Sequence, residues 1–433
     1  MKAYPEDKNG LYDWVGDIPK HWKMVQLKFA APRVTSKSTN HGSIDFHVAL
    51  ENIESHTGRL IGSGAFDGIG NAFQKDDVLY NKLRPYLNKG FLADKNGVAV
   101  GELLVLRPSV EIDGKFLLYR ILENGFMSIV DGSTYGAKMP RASWDFIGDL
   151  KIPVPPFPEQ SAIADFLDRK TAQIDALIAK KQRQIELLQE NRAALINQAV
   201  TKGPNPDAPM KDSGIEWLGE VPAHWEVKRI KHLLKPTKSA IKTGPFGSQL
   251  KNSDMMGSDI KVYNQRSVID VNFSSGEYYI SHQKFKQLKE FEIFPGDILI
   301  TTRGTIGRCA IFPDEAERGV LHPCLIRLQL DEEIMLKEYL IWFIQDSVLF
   351  QESIFYESNA TTIDVIYSGT LKQVIVPIPP LFEQKAIVDF LRAKGSQISE
   401  GIKRIEEQID LLQDYRTALI SAAVTGKIDV RGD

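Results

Sequence analysis

Two short stretches carry the residue types best suited to chemistry at a surface. Tyr80-Asn-Lys-Leu-Arg-Pro-Tyr-Leu-Asn-Lys89 follows an apolar run and interleaves Lys82, Arg84 and Lys89 with Tyr86 and Asn88. Thr301-Thr-Arg-Gly-Thr-Ile-Gly-Arg308 follows another and offers Thr301, Thr302, Arg303, Thr305 and Arg308. Arginine pairs bidentately with guanine and asparagine or glutamine with adenine, while threonine donates to a phosphate or touches a thymine methyl. Val262-Tyr-Asn-Gln-Arg266 adds Asn264, Gln265 and Arg266, and Tyr135-Gly-Ala-Lys-Met-Pro-Arg141 adds Tyr135, Lys138 and Arg141. Asn359 and Thr361, in Asn359-Ala-Thr-Thr362, stand in the second half where 137–141 stand in the first. Any one of these residues is equally at home in a plain solvated loop. As a set they suit the reading of double-stranded DNA, and that is the expectation they raise.

Charge is distributed accordingly. The net formal charge is −3, but 14 Lys and Arg face 7 Asp and Glu between Lys228 and Arg308, and 11 face 7 between Lys20 and Lys95. A phosphate backbone needs a local basic field, which the whole-chain charge averages away. Two cysteines, Cys309 and Cys324, make neither a disulfide framework nor a zinc set. The N-terminus lacks the apolar core of a signal peptide, and no apolar run approaches membrane-spanning length. The chain reads as cytoplasmic, with reduced thiols and no membrane partner.

Catalytic apparatus is not recognisable. An amino-methyltransferase would place a polar residue before Pro-Pro-aromatic, whereas Val154 precedes Pro155-Pro156-Phe157 and Ile378 precedes Pro379-Pro380-Leu381. Gly62-Ser-Gly64 lacks the third glycine of a cofactor loop, and neither Gly114-Lys115 nor Gly426-Lys427 is followed by Ser or Thr. Metal-type carboxylate clusters and nucleophile–histidine spacings are also missing, so no catalytic and no metal residue is assigned.

The loops must be held by something, and a repeat shows what. Ile152-Pro-Val-Pro-Pro-Phe-Pro-Glu-Gln160 and the run after it return as Val376-Pro-Ile-Pro-Pro-Leu-Phe-Glu-Gln384 and its run, each residue 224 positions later. Glu159 matches Glu383, Gln160 Gln384 and Phe166 Phe390. Prolines exclude a helix before Glu159. Beyond it, Ile174, Ile178, Ile185, Leu188, Leu195 and Ala199 step by fours and threes, as do Ile398, Ile402, Ile405, Ile409, Leu412, Leu419 and Ala423. That is a coiled-coil seam, and about forty residues make a rod of roughly 60 Å. The two copies are expected to pack on each other, antiparallel.

A second repeat opens each half. Trp14-Val-Gly-Asp-Ile-Pro-Lys-His-Trp22 returns as Trp217-Leu-Gly-Glu-Val-Pro-Ala-His-Trp225 at an offset of 203, so the second variable segment is 21 residues longer. His21 and His224 suit packing or hydrogen bonding better than metal ligation. The variable segments hold short apolar runs broken by glycine and proline, which read as strands with a few helices. The expected boundaries are an arm over 1–24, a domain over 25–151, hinge and helix over 152–203, linker and second arm over 204–226, a second domain over 227–375, and hinge and helix over 376–433.

With the doubled Pro-x-Pro-Pro-x-x-Glu-Gln, the following Ile-x-x-Phe-Leu, the two Trp-x-Gly-x-x-Pro-x-His-Trp arms and Gly296-Asp-Ile-Leu-Ile-Thr-Thr-Arg-Gly-Thr-Ile-Gly307, the chain resembles the specificity subunit of Type I restriction-modification enzymes. The resemblance spans essentially the whole chain. It implies an α+β fold with two similar α/β target recognition domains, separated by two long helices packed as an antiparallel coiled coil with a pseudo-twofold repeat. It further implies a noncatalytic chain whose domains each read half of a split DNA target and whose coil sets the gap. S-adenosylmethionine, ATP and magnesium would then belong to two modification subunits and to restriction subunits. The expected docking surface combines outward coil positions with Trp14, Trp22, Trp217, Trp225, Glu159, Gln160, Glu383 and Gln384, beside the helix residues Phe166, Ile178, Leu188, Phe390, Ile402 and Leu412. The first half departs in having Lys75-Asp-Asp-Val-Leu where the second has Pro295-Gly-Asp-Ile-Leu. A coiled-coil scaffold binding other proteins explains the rods equally well and the basic loops poorly; an autonomous methyltransferase lacks its motifs.

Overall fold

The computed structural model describes residues 3–10, 12–39, 46–62, 64, 69–358 and 365–432. The chain forms two compact units, Met1–Gln182 with Ile405–Asp433, and Arg183–Arg404.

The first unit contains β1 (Asp7–Asn9), β2 (Asp17–Pro19), β3 (Lys23–Gln26), β4 (Arg33–Val34), β5 (Lys37–Thr39), β6 (His47–Val48), β7 (Ile69–Phe73), β8 (Val78–Asn81), β9 (Gly90–Leu92), β10 (Gly97–Ala99), β11 (Leu103–Leu106) and β12 (Lys151–Val154). β1 and β2 are the arm hairpin, and β3 pairs with β12 to close the domain at its base. Between them lie two four-stranded sheets, ordered β4-β11-β8-β9 and β5-β7-β10-β6. α1 (Leu27–Ala30), α2 (Gly114–Ile121), α3 (Asn124–Gly132) and α4 (Trp144–Asp149) complete it.

Every residue of β8 and β11 is buried, because both faces are covered. Side chains alternate across a strand. Val78, Tyr80, Leu104 and Leu106 therefore enter a core shared with α2, α3 and α4, while Leu79, Leu103 and Val105 enter a core with the second sheet.

The second unit repeats the plan with β13 (Met210–Asp212), β14 (Glu220–Pro222), β15 (Glu226–Arg229), β16 (Ile241–Thr243), β17 (Ile260–Tyr263), β18 (Tyr279–Ile280), β19 (Glu292–Ile293), β20 (Ile298–Thr301), β21 (Cys309–Ile311), β22 (Gly319–Leu321), β23 (Leu325–Leu328) and β24 (Ile375–Ile378). Its sheets run β16-β23-β20-β21 and β18-β17-β22-β19. The first matches β4-β11-β8-β9 strand for strand. In the second sheet, the parallel pair β17 and β22 matches β6 and β10, and β19 matches β7. Only the edge differs: β5 lies beside β7, whereas β18 lies beside β17. α6 (Gln265–Ile269) follows β17, and α7 (His282–Leu288) falls in the same insertion as β18, which accounts for part of the extra length. α8 (Lys337–Asp346), α9 (Val348–Ser358) and α10 (Ser368–Gln373) share a core with Ile298 and Ile300 of β20 and Ile326 and Leu328 of β23. The departure at Lys75-Asp-Asp does not alter the turn. Asp76 takes φ 71° where Gly296 takes φ 80°, and Asp77 and Asp297 accept the N–H of Gln74 and Phe294 at 2.7 and 2.8 Å.

The two long helices, α5 (Phe157–Lys202) and α11 (Leu381–Val424), begin two residues earlier than expected from the prolines. Pro158 sits in the first turn, where its missing N–H has no helical partner to lose. In the first unit the two helices run antiparallel: Arg416 Nε donates to Asp175 at 3.0 Å, and Lys181 Nζ donates to Gln408 one register later. In the second unit Arg192 and Leu195 share a crevice with Leu391, Gly395 and Ile398. Arg192 and Arg416, at one repeat position, thus sit on the seam as the spacing indicates.

Candidate nucleic-acid interface

The loops that follow β8 and β20 are built the same way from unlike sequences. Asn81 is fully buried; its Oδ1 accepts the Lys89 N–H at 2.8 Å, and its Nδ2 donates to the carbonyls of Leu83 and Arg84 at 3.0 Å. Thr301, equally buried, accepts the Arg308 N–H at 3.0 Å and donates to the Thr305 carbonyl. Arg84 and Gly304 follow at φ 50° and 64°. Each loop is braced from the same side: the Ala142 N–H donates to the Lys82 carbonyl at 3.0 Å, and the Ile366 N–H to the Thr302 carbonyl at 2.9 Å.

In the first unit that bracing brings Tyr135, Lys138 and Arg141 beside Lys82, Arg84 and Tyr86. Tyr135 and Arg141 bridge each other, Leu83 bridges Arg141, and the Arg84 N–H donates to the Pro140 carbonyl at 2.7 Å. Tyr86, Tyr135 and Lys138 are exposed, while Lys82 and Arg84 are half-buried. Three residues expected at DNA are engaged within the unit instead. Asn88 is buried and donates to the Leu122 carbonyl at 2.7 Å, Lys89 Nζ caps the Leu50 carbonyl at 2.7 Å, and Arg141 pairs with Glu102 at 2.8 Å.

In the second unit Arg303 and Thr305 are exposed and Arg308 is half-buried. Thr301 and Thr302 point inward; Thr302 Oγ1 donates to the Cys324 carbonyl at 3.0 Å, so neither hydroxyl faces a base. Asn264 is the N-cap of α6, its Oδ1 accepting the N–H of Arg266 at 2.9 Å. Asn264, Gln265 and Arg266 line an open groove of about 630 Å³ with Met256, His322 and Cys324. His322 Nδ1 lies 2.7 Å from the Cys324 thiol; burial lowers the pKa of the imidazole and raises that of the thiol. Asn359 and Thr361 lie outside the described residues.

The Glu-Gln pairs and the arms also differ from the expectation of a docking surface, because they are used internally. Glu159 is buried at the start of α5 and accepts from Tyr4 Oη, His21 Nε2 and Trp22 Nε1 at 2.6, 2.8 and 3.0 Å. Glu383 accepts from His224 Nε2 and Trp225 Nε1 at 2.6 and 2.9 Å. Gln160 turns to the domain, accepting the Asp113 N–H and donating to the Glu111 carbonyl, both at 2.9 Å; Gln384 repeats this with Leu336 and Ile334 at 2.8 and 2.9 Å. Trp22, Trp225 and Phe166 are buried. Trp14, half-buried, stacks on the Arg120 guanidinium at 4.9 Å; Trp217 is also half-buried. Ile178, Leu188, Phe390, Ile402 and Leu412 are half-buried along the helices.

Among the described residues no group of His, Cys, Asp and Glu is arranged to hold a metal, and no helix is long and apolar enough to cross a membrane. The family model for the Type I restriction modification DNA specificity domain matches residues 70–187 and 222–410. The chain belongs to the Type I restriction-modification specificity family. It is thus a noncatalytic DNA-recognition component. It is 25% identical to the MjaVIII specificity subunit of Methanocaldococcus jannaschii over 96% of this chain and 94% of that one. It is 22% identical to the EcoKI specificity subunit of Escherichia coli over 75% and 68%. A solved chain from work on assembly and conformational transition of the type I R-M system shares the fold with a TM-score of 0.71 at 16% identity, covering 95% and 99%. The HsdS subunit from Thermoanaerobacter tengcongensis gives 0.53 at 18% identity, covering 97% and 99%.

The sequence alone pointed to the loops but missed the residues that shape them. Asn81 looked like one more polar loop residue, and only its match to Thr301 across the two units reveals the latch. His322 and Met256 carried no motif.

Proposed function

We propose that each variable domain, 25–151 and 227–375, reads one half of a bipartite target on double-stranded DNA, and that the paired helices set the gap between the halves. One observation carries this: the same latched loop on a fully buried strand occurs twice, bearing different exposed side chains each time. A constant frame with variable tips suits two unlike half-sites. Lys82, Arg84, Tyr86, Tyr135 and Lys138 serve the first half, and Gln265, Arg266, Arg303, Thr305 and Arg308 the second. Basic side chains position the phosphates and a few others read major-groove edges.

Two modification subunits dock on the chain, with restriction subunits joining through them. These partners hold S-adenosylmethionine, ATP and magnesium, and the complex works in the cytoplasm. The target adenine must leave the stack to be methylated, a step that falls to the partner. Repeated residues that stay exposed are the better docking candidates. Leu187 and Leu411 share a repeat position at 48% and 67% exposure, as do Phe157 and Leu381 at 46% and 37%.

The test is co-purification with a candidate modification subunit, then mapping of methylated adenines across a genome. One split motif with a fixed gap, methylated on both strands, is expected. A stable complex that methylates no split motif would favour a scaffold, and a DNA affinity that ignores salt would do the same.

A further inference from the structure

The two units differ in polarity at one matched position. The Val48 carbonyl accepts the Val100 N–H at 2.9 Å, and the Tyr263 carbonyl accepts the His322 N–H at 3.0 Å, which aligns the ends of β6 and β17. A short helical turn begins two residues later in each unit, Leu50–Asn52 in the first and α6 in the second. Counting from the aligned carbonyls, Glu51 occupies the place of Arg266.

Both turns lie against the latched loops. Lys89 Nζ donates to the Leu50 carbonyl at 2.7 Å, and a Cβ on Gly304 would stand 3.9 Å from Gln265 Nε2. Arg266 is exposed on the rim of the 630 Å³ groove, and among the described residues its guanidinium meets one carboxylate, Asp270 at 3.3 Å. Glu51 is exposed, and its carboxylate has no partner among the described residues. Glu102, which stands where Cys324 stands, is already neutralised by Arg141.

An unpaired carboxylate beside a basic loop repels phosphate, so non-specific backbone contact gives it no role. A base edge does. In the major groove, cytosine N4 and adenine N6 present amino donors that a carboxylate accepts, whereas guanine presents two acceptors suited to arginine.

We propose that Glu51 and Arg266 are specificity-determining residues of opposite polarity, Glu51 accepting from the exocyclic amino group of a cytosine or adenine and Arg266 donating to a guanine. This rests on reading the two units as recognisers of separate half-sites.

The test uses the full chain assembled with its modification subunits, comparing the methylated motif of the parent with those of Glu51→Ala and Arg266→Ala. Each variant is expected to relax one position in one half-site, by about tenfold to a hundredfold in preference. The relaxed position should carry cytosine or adenine for Glu51 and guanine for Arg266, with the other half-site and the gap unchanged. The proposal is overturned if either variant keeps the parent's discrimination, if the relaxed base is of the wrong class, or if both half-sites are lost together at an unchanged melting temperature. A parent complex with no split motif would instead sink the half-site reading on which the proposal rests.

Discussion

Asn81 and Thr301 do the same work with different chemistry: each closes the loop after its strand by accepting that loop's last N–H, from Lys89 and Arg308, at 2.8 and 3.0 Å. Both are fully buried, so removing either side-chain oxygen leaves an unsatisfied donor. Such a loss costs about 1–3 kcal/mol. Asn81→Ala and Thr301→Val should each lower the melting temperature and weaken binding to one half-site only. Competition between duplexes altered in one half-site reads this directly. Equal weakening at both half-sites would show that the latch does not act locally.

The repeat, the long helices and the position of the strands were legible because they rest on periodicity and on proline. The apolar runs of β8, β11, β20 and β21 announce short strands, and the seam spacing announces the coil. Side-chain assignments were harder for a physical reason. A glutamate or glutamine in a repeated motif looks the same whether it faces solvent or folds inward. Glu159 and Gln160 proved to be internal clasps because the arm and the domain bring donors and acceptors to them from more than 40 positions away. Threonine gives the same ambiguity, since Thr301 and Thr305 sit four residues apart with opposite exposure.

The two clasps are unequal, which makes them separable. Glu159 is 5% exposed and takes three donors, while the Glu383 side chain is 23% exposed and takes two. Hydrogen bonds to charged groups contribute about 1.5–3 kcal/mol when buried. Glu159→Ala should therefore destabilise more than Glu383→Ala, with the arm released in each case. Thermal melts give the ranking, and protease cleavage near Lys20 or Lys211 reports release of each arm. The reverse ranking would mean that the arms are held by their apolar contacts.

Acid should weaken the fold through two histidines. His322 is held below its ordinary pKa by burial, and His56 by burial and the nearby Arg416 charge. A histidine with a depressed folded pKa takes up its proton in the unfolded chain first, so stability falls as pH drops through the unfolded value, about 6.5. Above that value both states are neutral and the effect vanishes. Protonating His322 Nδ1 also removes the acceptor for the Cys324 N–H, at 3.3 Å. His322→Asn should flatten the fall in melting temperature between about pH 7.5 and pH 5 relative to the parent. An unchanged slope would show that His322 is already solvated.

Leu187 and Leu411 stand 224 positions apart and remain exposed, where a two-helix seam gives them nothing to cover. Single exposed leucines are ordinary, but a matched pair on a doubled element fits one partner bound twice. A charge placed there meets water in the free chain and should leave its unfolding free energy within about 0.5 kcal/mol of the parent. Against an apolar partner surface the same charge is desolvated, and truncations at interface anchors cost about 2 kcal/mol or more. Leu187→Lys and Leu411→Lys should therefore each weaken capture of one modification subunit, and the double variant should capture none. Sedimentation of the reconstituted complex distinguishes two, one and zero bound subunits. Full occupancy in the double variant would move the docking surface to Phe157 and Leu381, the other exposed pair on the repeat.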